Sequence, residues 1–477
     1  MAAENKAHLL KSFGLRMGII IVMSSIIGSG VFKKVAPMSE GLLDAKLVIL
    51  AWFLAGVVVI FGLFSAAELG TMYPHSGGPF SWLEKIYGKT ISFLYGWTSF
   101  TVIQTATVAS VSFISAGALN TFIPLPHLPA HLEAITIWGV IQPFDNIGAK
   151  IVAMMMIVLL TFINIRGAKK GGFVSMIFTY VIGISIIIIS ILAFNSTIGS
   201  WETFNTPSKN FPVGGFGIIG FISVLIIAMR NAFWGYEGWL AIGFLGEEIK
   251  QPERNFPKAM MIGLCLTMLL YIIINTGYLY VVPIDELIAK VNEDSNNIAA
   301  VVVVDNIFGS SGAYIVSAMI LISTLGCTNA TILASSRIYY AMAQKGLFFK
   351  GAEICHPRTH TPKNALIYQA IWSCILVISG SFDFLSDLVI IAAFMFYGLI
   401  VFGVIILRIK EPNAPRPYKA FGYPILPIIF TLFCLVLLII SFIETPEQSI
   451  IGLFLVLSGL PFFYYWRRKR KNQNSYE

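Results

Sequence analysis

Charged residues are scarce in this chain. Asp, Glu, Lys and Arg make up 12% of its 477 residues, whereas 57% are hydrophobic. A soluble domain carries about a quarter charged residues, so this composition argues against a soluble protein and indicates one that lies in a membrane. Lys and Arg outnumber Asp and Glu, 32 against 24. We interpret this excess as charge at the membrane edge that faces anionic lipid, not as a surface for nucleic acid.

Sequence motifs of several other protein classes are also missing. The five cysteines form no CxxC pair and no Cys/His cluster, so the sequence predicts no metal site. There is no P-loop, no HExxH and no pair of catalytic carboxylates. An ATPase or an intramembrane protease therefore has no support, and we expect neither an enzyme nor a bound cofactor.

Long apolar runs are what the sequence does contain. Runs of about 20 apolar residues are long enough to span a bilayer. They predict twelve spans, at residues 14–32, 44–72, 91–118, 150–166, 173–195, 216–246, 257–283, 312–335, 365–381, 384–408, 422–443 and 448–466. No small-residue cleavage pattern follows the first run, so we interpret it as a retained helix and not as a signal peptide.

The distribution of basic residues predicts the orientation in the membrane. Twelve spans place both termini on one side, and most Lys and Arg residues fall in the loops and helix ends of that side. Because cytoplasmic loops accumulate Lys and Arg, we expect a multi-pass protein of the cell membrane with both termini in the cytoplasm. Residues 1–13 then form a cytoplasmic N-terminus, and 467–477 form a basic tail that anchors to lipid.

Two of the predicted spans are interrupted by glycine. The stretches are IIGSGVF at 26–32 and WGYEGW at 234–239. A helix break in lipid is tolerated only where the freed backbone groups face protein, a cavity or a ligand. The two breaks fall in the first span of each half of the chain, which indicates an inverted-repeat transporter with a site near the midplane. The alternative is that these glycines only allow close helix packing.

The first break offers complementary backbone groups to a zwitterion. Small or absent side chains at Gly28, Ser29 and Gly30 let a ligand approach the backbone. The half-helix that begins there presents free N–H groups at the positive end of its dipole, which suits an α-carboxylate. The preceding half-helix ends in free carbonyl groups near Ile26 and Ile27, which suit an α-ammonium group. The sequence therefore predicts a site for an amino acid.

Several spaced motifs carry a resemblance to a known family. Besides the two breaks they are SGGPFSWLEKIYG at 76–88, GEEIKQPERNFPKA ending at 259, STLGCTNA at 323–330 and LRIKEPNAPRPYK at 407–419. In this order they resemble the amino acid, polyamine and organocation superfamily, and most closely its L-type branch of amino-acid transporters. The resemblance extends over most of the chain.

This resemblance implies an all-α integral membrane protein with a LeuT-like fold. Its five-plus-five inverted repeat would comprise 14–195 and 216–408, with helices 1 and 6 unwound, and 422–466 would hold two extra helices. The implied substrate-binding residues are Ile26, Ile27, Gly28, Ser29, Gly30, Trp234, Gly235 and Glu237. Trp234 would also cover the bound substrate. Since the cysteines lie in predicted spans or in a cytoplasmic loop, no disulfide-linked heavy chain is expected.

Two positions depart from the pattern of the branch and bear on specificity. Leu240 stands where relatives usually have Asn, which removes a polar contact from the pocket. Arg230 lies at membrane depth one turn before the second break, and a charge there needs a partner or water. Either Arg230 pairs with Glu237, with a carbonyl group or with acidic outer loops, or it favours small neutral or anionic substrates. We favour the pairing.

Ion coupling stays open at this stage. The fifth span contains no Lys that would replace a coupling cation, and Ser323 and Thr324 are the candidate oxygen ligands of an ion. Their hydroxyls could equally bond the preceding carbonyls of their own helix. We predict a secondary transporter of small neutral L-amino acids that works by alternating access as an exchanger. The alternatives are a proton- or sodium-coupled symporter and, in another class, an amino-acid sensor or channel.

Overall fold

The computed structural model describes residues 9, 11–137, 142–293, 298–380 and 382–474. Apart from two isolated bridges, Phe13 with Ile249 and Ser76 with Leu245, the regular structure in these ranges is helical. In chain order the α-helices are α1 (Leu15–Ile26), α2 (Gly30–Lys33), α3 (Val35–Leu42), α4 (Ala45–Met72), α5 (Pro79–Tyr87), α6 (Lys89–Thr98), α7 (Gln104–Asn120), α8 (Ala130–Glu133), α9 (Ile147–Ile165), α10 (Ala168–Phe194), α11 (Trp201–Asn205), α12 (Gly217–Tyr236), α13 (Ala241–Phe244), α14 (Pro252–Val281), α15 (Ile284–Glu293), α16 (Ala299–Phe308), α17 (Gly312–Gln344), α18 (Lys363–Ser379), α19 (Phe382–Lys410), α20 (Ile425–Glu444), α21 (Pro446–Leu457) and α22 (Gly459–Asn474).

Within the described ranges, ten helices are long and apolar enough to cross a membrane. They are α4, the continuous helix Lys89–Asn120 formed by α6 and α7, α9, α10, α12, α14, α17, Phe384–Lys410 of α19, α20, and Pro446–Lys469 of α21 and α22. The all-helical prediction is confirmed for the described residues. The two other predicted spans correspond to shorter apolar helices, α1 and α18. The number twelve stays a prediction.

Local sequence explains where several helices begin. The carboxylate of Asp44 caps α4 by accepting hydrogen bonds from the N–H groups of Lys46, at 2.7 Å, and Leu47, at 3.3 Å. Prolines occupy the first turn of α5, α14 and α21. The N–H groups of a first turn make no hydrogen bond within the helix, so a proline there costs none. A π-turn at Ser99–Ile103 joins α6 to α7 without ending the helix.

The two interrupted helices lie inside the bundle. Helix α1 packs against α10, α14 and α17, and α12 packs against α3 and α4. Helix α17 is fixed in turn by a buried amide network: Asn164 of α9 donates to Asn329 of α17 at 2.8 Å, and Asn329 donates to the Ser175 hydroxyl of α10 at 2.8 Å. Such bonds between apolar helices hold their relative positions. The network thereby fixes α10 and α17, which both pack against α1.

Candidate substrate site at two helix breaks

Both glycine stretches interrupt a helix in the structure. Helix α1 ends at Ile26, Ile27 is extended with φ −75° and ψ 92°, and α2 begins at Gly30. Helix α12 ends at Tyr236, and Glu237 leaves the helical path with φ −58° and ψ 146°. The freed backbone groups of both breaks therefore lie within the packed interior, as expected for breaks at membrane depth.

The two breaks touch each other through glycine. A Cβ atom on Gly30 would lie 2.5 Å from the Cα of Gly235, which is closer than real Cβ atoms approach. A Cβ atom on Gly238 would lie 2.4 Å from the carbonyl oxygen of Ser25, and the φ of Gly238 is +96°. Gly238 is thus required both by its backbone conformation and by this contact. The glycines allow the backbones of α1, α2 and α12 to meet.

Tyr271 connects the two breaks and was missed by the sequence analysis. Its hydroxyl, on α14, lies 3.0 Å from the carbonyl oxygen of Ile26 and 2.9 Å from that of Gly235. A phenol carries one proton, so it donates to one of these carbonyls at a time. The carbonyl that does not receive this proton can accept a hydrogen bond from an ammonium group. The available signal was a polar aromatic residue inside the predicted span 257–283.

A narrow cavity lies where the breaks meet. Its volume is about 10 Å³, roughly the minimum that one water needs. Its lining comprises Ser25, Ile26, Gly28, Ser29, Gly30, Thr107, Val111, Trp234, Glu237 and Cys327. Four of these, Ser25, Thr107, Val111 and Cys327, were not predicted, because a uniformly apolar span shows no period that marks its inward face. The cavity is closed in this conformation.

Trp234 and Gly235, in the last turn of α12, contact different neighbours. The indole N–H of Trp234, a cavity residue, is 3.4 Å from the Ser29 hydroxyl. The open side of Gly235 faces α4, since a Cβ atom there would lie 2.7 Å from the Trp52 ring. Leu240, where the resemblance implies a polar residue in relatives, is buried. The structure therefore brings Trp234 to the cavity and gives Gly235 a packing role between α12 and α4.

The favoured pair between Arg230 and Glu237 is wrong for this conformation. Glu237 is buried, and the Tyr397 hydroxyl donates to its carboxylate at 2.6 Å. Arg230 is half-buried, and its Nη1 lies 3.4 Å from the hydroxyl of Thr445. The extended ψ of Glu237 turns its side chain off the face of α12 that carries Arg230. The two charges are therefore placed in different surroundings.

Only one of the two candidate ion ligands lies at a break. The Ser323 hydroxyl of α17 is 3.2 Å from the carbonyl oxygen of Ile27 and 3.4 Å from that of Gly28. Thr324 turns away: its hydroxyl donates to the Ile320 carbonyl at 2.6 Å and accepts from Ser115 at 2.6 Å. Among the described residues, no group of three or more His, Cys, Asp or Glu side chains forms a metal site.

Comparison with known proteins identifies the family. The sequence profile of the amino acid permease family matches residues 13–463. The chain belongs to this family. It is 30% identical to the serine/threonine exchanger SteT of Bacillus subtilis (strain 168) over 465 residues, 97% of this chain and 98% of that protein. It is similar to the human b(0,+)-type amino acid transporter 1, with 29% identity over 96% of this chain and 88% of that protein. It is also similar to the human large neutral amino acids transporter small subunit 2, with 27% identity over 97% of this chain and 82% of that protein.

The resemblance to the amino acid, polyamine and organocation superfamily is thereby confirmed. The chain is a secondary transporter of amino acids and a multi-pass membrane protein. Its two helix breaks meet at the narrow cavity described above.

One end of the transporter is sealed by a buried ion pair and by backbone hydrogen bonds. We call it the basic end, defined by Arg337, Arg408 and Arg416. Arg337 of α17 is fully buried, and its Nε lies 2.7 Å from the carboxylate of Glu248, after α13. The N–H groups of Ser12 and Phe13 donate to the Glu248 carbonyl at 2.8 and 2.9 Å. The start of α1 and the end of α13 are thus fastened to α17.

A second charged group closes the same end between α4 and α19. Glu68 is buried and accepts from Arg408 at 2.6 Å and from Arg416 at 3.2 Å. Glu68 therefore has a structural role in pairing α4 with the end of α19. Nearby, Lys85 lies 2.7 Å from Glu411, and its hydrogen bond lowers the pKa of the Glu411 carboxyl. Paired charges at this end satisfy each other instead of facing the cavity.

Proposed function

We propose that this transporter exchanges small neutral L-amino acids across the cell membrane by alternating access, with the substrate held between the two breaks. The observation that carries the proposal is the meeting of both breaks around one buried cavity. Backbone groups freed at membrane depth need partners. The ends of an amino acid supply an ammonium group for the carbonyls and a carboxylate for the N–H groups. Transport of this kind needs no chemical step.

Each end of the substrate has a set of backbone partners. The first N–H groups of α2 have no carbonyl within their own helix, and α2 continues through Lys34, in αR conformation, towards α3. This end of the site suits the carboxylate. The carbonyls of Ile26 and Gly235, which share the Tyr271 proton, suit the ammonium group. The predicted residues Ile27, Gly28, Ser29 and Gly30 belong to the same segment.

Small side chains around the cavity support a small substrate. Thr107, Val111 and Cys327 line it together with Trp234, and each of the three has at most three heavy atoms in its side chain. The hydroxyl of Ser25 also lies there, is buried, and has no hydrogen-bond partner among the described residues. A buried hydroxyl of this kind calls for a partner, which a polar substrate would supply. With SteT as a relative, serine and threonine are the first substrates to test.

Helix packing supports an inverted repeat of 14–195 and 216–408. The contacts come in pairs that exchange when the two halves are exchanged. Helix α1 packs on α14 while α12 packs on α4, and α10 packs on α17 while α19 packs on α7. Such reciprocal contacts are expected if α1 and α12 are equivalent first helices. We include α1 and α18 with the ten candidate spans, so twelve helices cross the membrane, the last two within 422–466.

Orientation and partners belong to the same proposal. The basic end would face the cytoplasm together with residues 1–13 and 467–477. The cysteines give no anchor for a disulfide-linked heavy chain, since Cys265, Cys327, Cys374 and Cys434 lie in long helices and Cys355 lies in a loop of the basic end. We therefore propose that the chain transports without such a subunit.

The test is counterflow in proteoliposomes that contain the purified chain alone. Vesicles are loaded with unlabelled serine, and uptake of labelled serine is followed with and without sodium and with and without a pH gradient. We expect uptake that requires internal amino acid and is indifferent to both gradients. Concentrative uptake into empty vesicles, driven by sodium or protons, would indicate a symporter, and a requirement for sodium would make Ser323 the first ion ligand to test. No uptake under any condition would contradict the transport proposal for these substrates.

A further inference from the structure

A second, larger cavity lies at the basic end, apart from the helix breaks. Its volume is about 880 Å³, and it is bounded by the end of α17, the loop after it and α22. None of the residues that line it lines the cavity at the breaks. The volume falls in the range typical of ligand sites.

The walls of this cavity carry positive charge. Lys350, in the turn after α17, and Lys469, on α22, are both exposed and line it from two sides. Lys345 adds a third cation, which pairs with Glu84. Glu353 is the acidic side chain of the lining. The lining thus has an excess of positive charge, which favours an anionic ligand.

Exposed aromatic rings border the same cavity. Phe349 is 50% exposed, Phe462 44% and Tyr465 59%, although each lines the cavity. Trp466 is buried beneath them and meets Phe349 edge to face, with ring centroids 5.6 Å apart. Aromatic rings next to basic residues are typical of the boundary between hydrocarbon and head groups. The ligand that fits both features carries an anionic group and an apolar part.

The position of the cavity agrees with a ligand from the membrane. Lys469 lies three residues beyond the end of the apolar run 448–466 that predicts the last span. Arg467 and Arg468 precede it directly and are exposed. The cavity therefore opens at the level where a membrane span ends and phospholipid head groups begin. Basic pockets between membrane helices are known to bind such head groups.

We propose that this cavity binds one anionic phospholipid, with its phosphate between Lys350 and Lys469 and its acyl chains against Phe349 and Phe462. The site is separate from amino-acid binding, so the proposal goes beyond transport. It also has a mechanical consequence. Helix α17 carries Ser323 at the first break, and its last turn lines the lipid cavity. A bound lipid would fasten this end of α17 to α22.

The experiment measures lipid binding to the purified full-length chain by native mass spectrometry. Phosphatidylglycerol and phosphatidylcholine with identical acyl chains are titrated against three proteins: wild type, Lys350→Gln/Lys469→Gln, and the control Lys250→Gln/Lys258→Gln. The control removes the same two charges at exposed positions of the basic end that do not line the cavity. We expect the cavity variant to lose roughly 30-fold in phosphatidylglycerol affinity, and the control to lose little.

Two further arms separate a lipid from other ligands. Phe349→Ser should weaken phosphatidylglycerol binding, because the acyl chains lose a ring to pack against. Glycerol 1-phosphate, which carries the anion without chains, should compete poorly. Equal binding of both lipids, or equal loss in the two double variants, would overturn the proposal in favour of non-specific lipid around the protein. Full competition by glycerol 1-phosphate would overturn it in favour of a site for soluble anions.

Discussion

Adding a single methyl group at Gly30 tests whether contact between the two breaks is needed for substrate binding. In Gly30→Ala the new Cβ would lie 2.5 Å from the Cα of Gly235, 3.0 Å from its nitrogen and 3.4 Å from Cδ1 of Trp234. The first two atoms belong to the backbone, so no side-chain rotation relieves the clash. Gly30 has no positive φ, and alanine is therefore disfavoured by this contact and not by the backbone conformation.

The distances set the size of the effect. Ordinary contact begins near 3.4 Å, so a methyl group at 2.5 Å requires the breaks to separate by about 1 Å. Overpacking of this kind typically costs about 1–3 kcal/mol. If the substrate bridges both breaks, a similar loss falls on its binding, which corresponds to a rise in Km of roughly 5- to 150-fold. A larger residue such as valine should abolish binding.

The assay is counterflow of labelled serine, with the rate divided by the amount of folded transporter in the vesicles. Gly183→Ala is the matched control, since Gly183 also lies in a membrane-spanning helix, α10, and a Cβ atom there meets nothing within 4 Å. The control should transport normally. A folded Gly30→Ala transporter with a Km within twofold of wild type would refute the assignment of the site to the contact between the breaks.

Three further predictions concern the buried charges. Arg230→Gln and Glu237→Gln should change the free energy of unfolding additively, within about 0.5 kcal/mol, because the two side chains bond different partners. A larger coupling energy would show that Arg230 and Glu237 pair after all. Tyr397→Phe should raise the Km and lower the melting temperature, since a hydrogen bond to a charged group contributes about 1.5–3 kcal/mol; unchanged values would mean that the bond is dispensable. Arg337→Gln should lower the unfolding free energy by about 3–5 kcal/mol. The double variant Arg337→Met/Glu248→Leu should be nearly as stable as wild type; a double variant as unstable as Arg337→Gln would contradict a buried pair.

The sequence predicts the long helices well, because a helix that crosses lipid needs about 20 apolar residues in succession. Each predicted apolar run contains a helix, and the glycine stretches at 26–32 and 234–239 contain the interruptions. The breaks can be predicted because a helix break at membrane depth needs small residues, and glycine within an apolar run is easily recognised. The helix ends are less predictable. Helix α17 continues to Gln344, nine residues beyond its predicted end, because its last turns pack inside the basic end and need no apolar face toward lipid.

Side-chain partners at the site are less predictable, because they depend on contacts between distant helices. The expectation that Arg230 pairs with Glu237 assumed a continuous helix. The helix ends at Tyr236, so Glu237 no longer lies on the same face as Arg230. Tyr271, Tyr397 and Cys327 reach the breaks from three other helices. Tyr271 is a polar aromatic residue in its span and Cys327 lies in the motif at 323–330, but neither feature shows that the side chain faces the breaks. Only the packing of α14, α17 and α19 around the breaks brings these groups to the site.

The closed cavity constrains how the transporter must move. A space of about 10 Å³ holds at most about one water, so an amino acid enters only after the breaks have separated on one side. At the basic end, separation must disrupt the buried pair of Arg337 with Glu248 and the backbone bonds from Ser12 and Phe13. At the opposite end, the start of α12 makes few contacts within the protein, and Ile218 and Ile219 are each 82% exposed. Because local opening is easiest where few contacts must be broken, we expect this conformation to open first away from the basic end, with α12 as the element that moves.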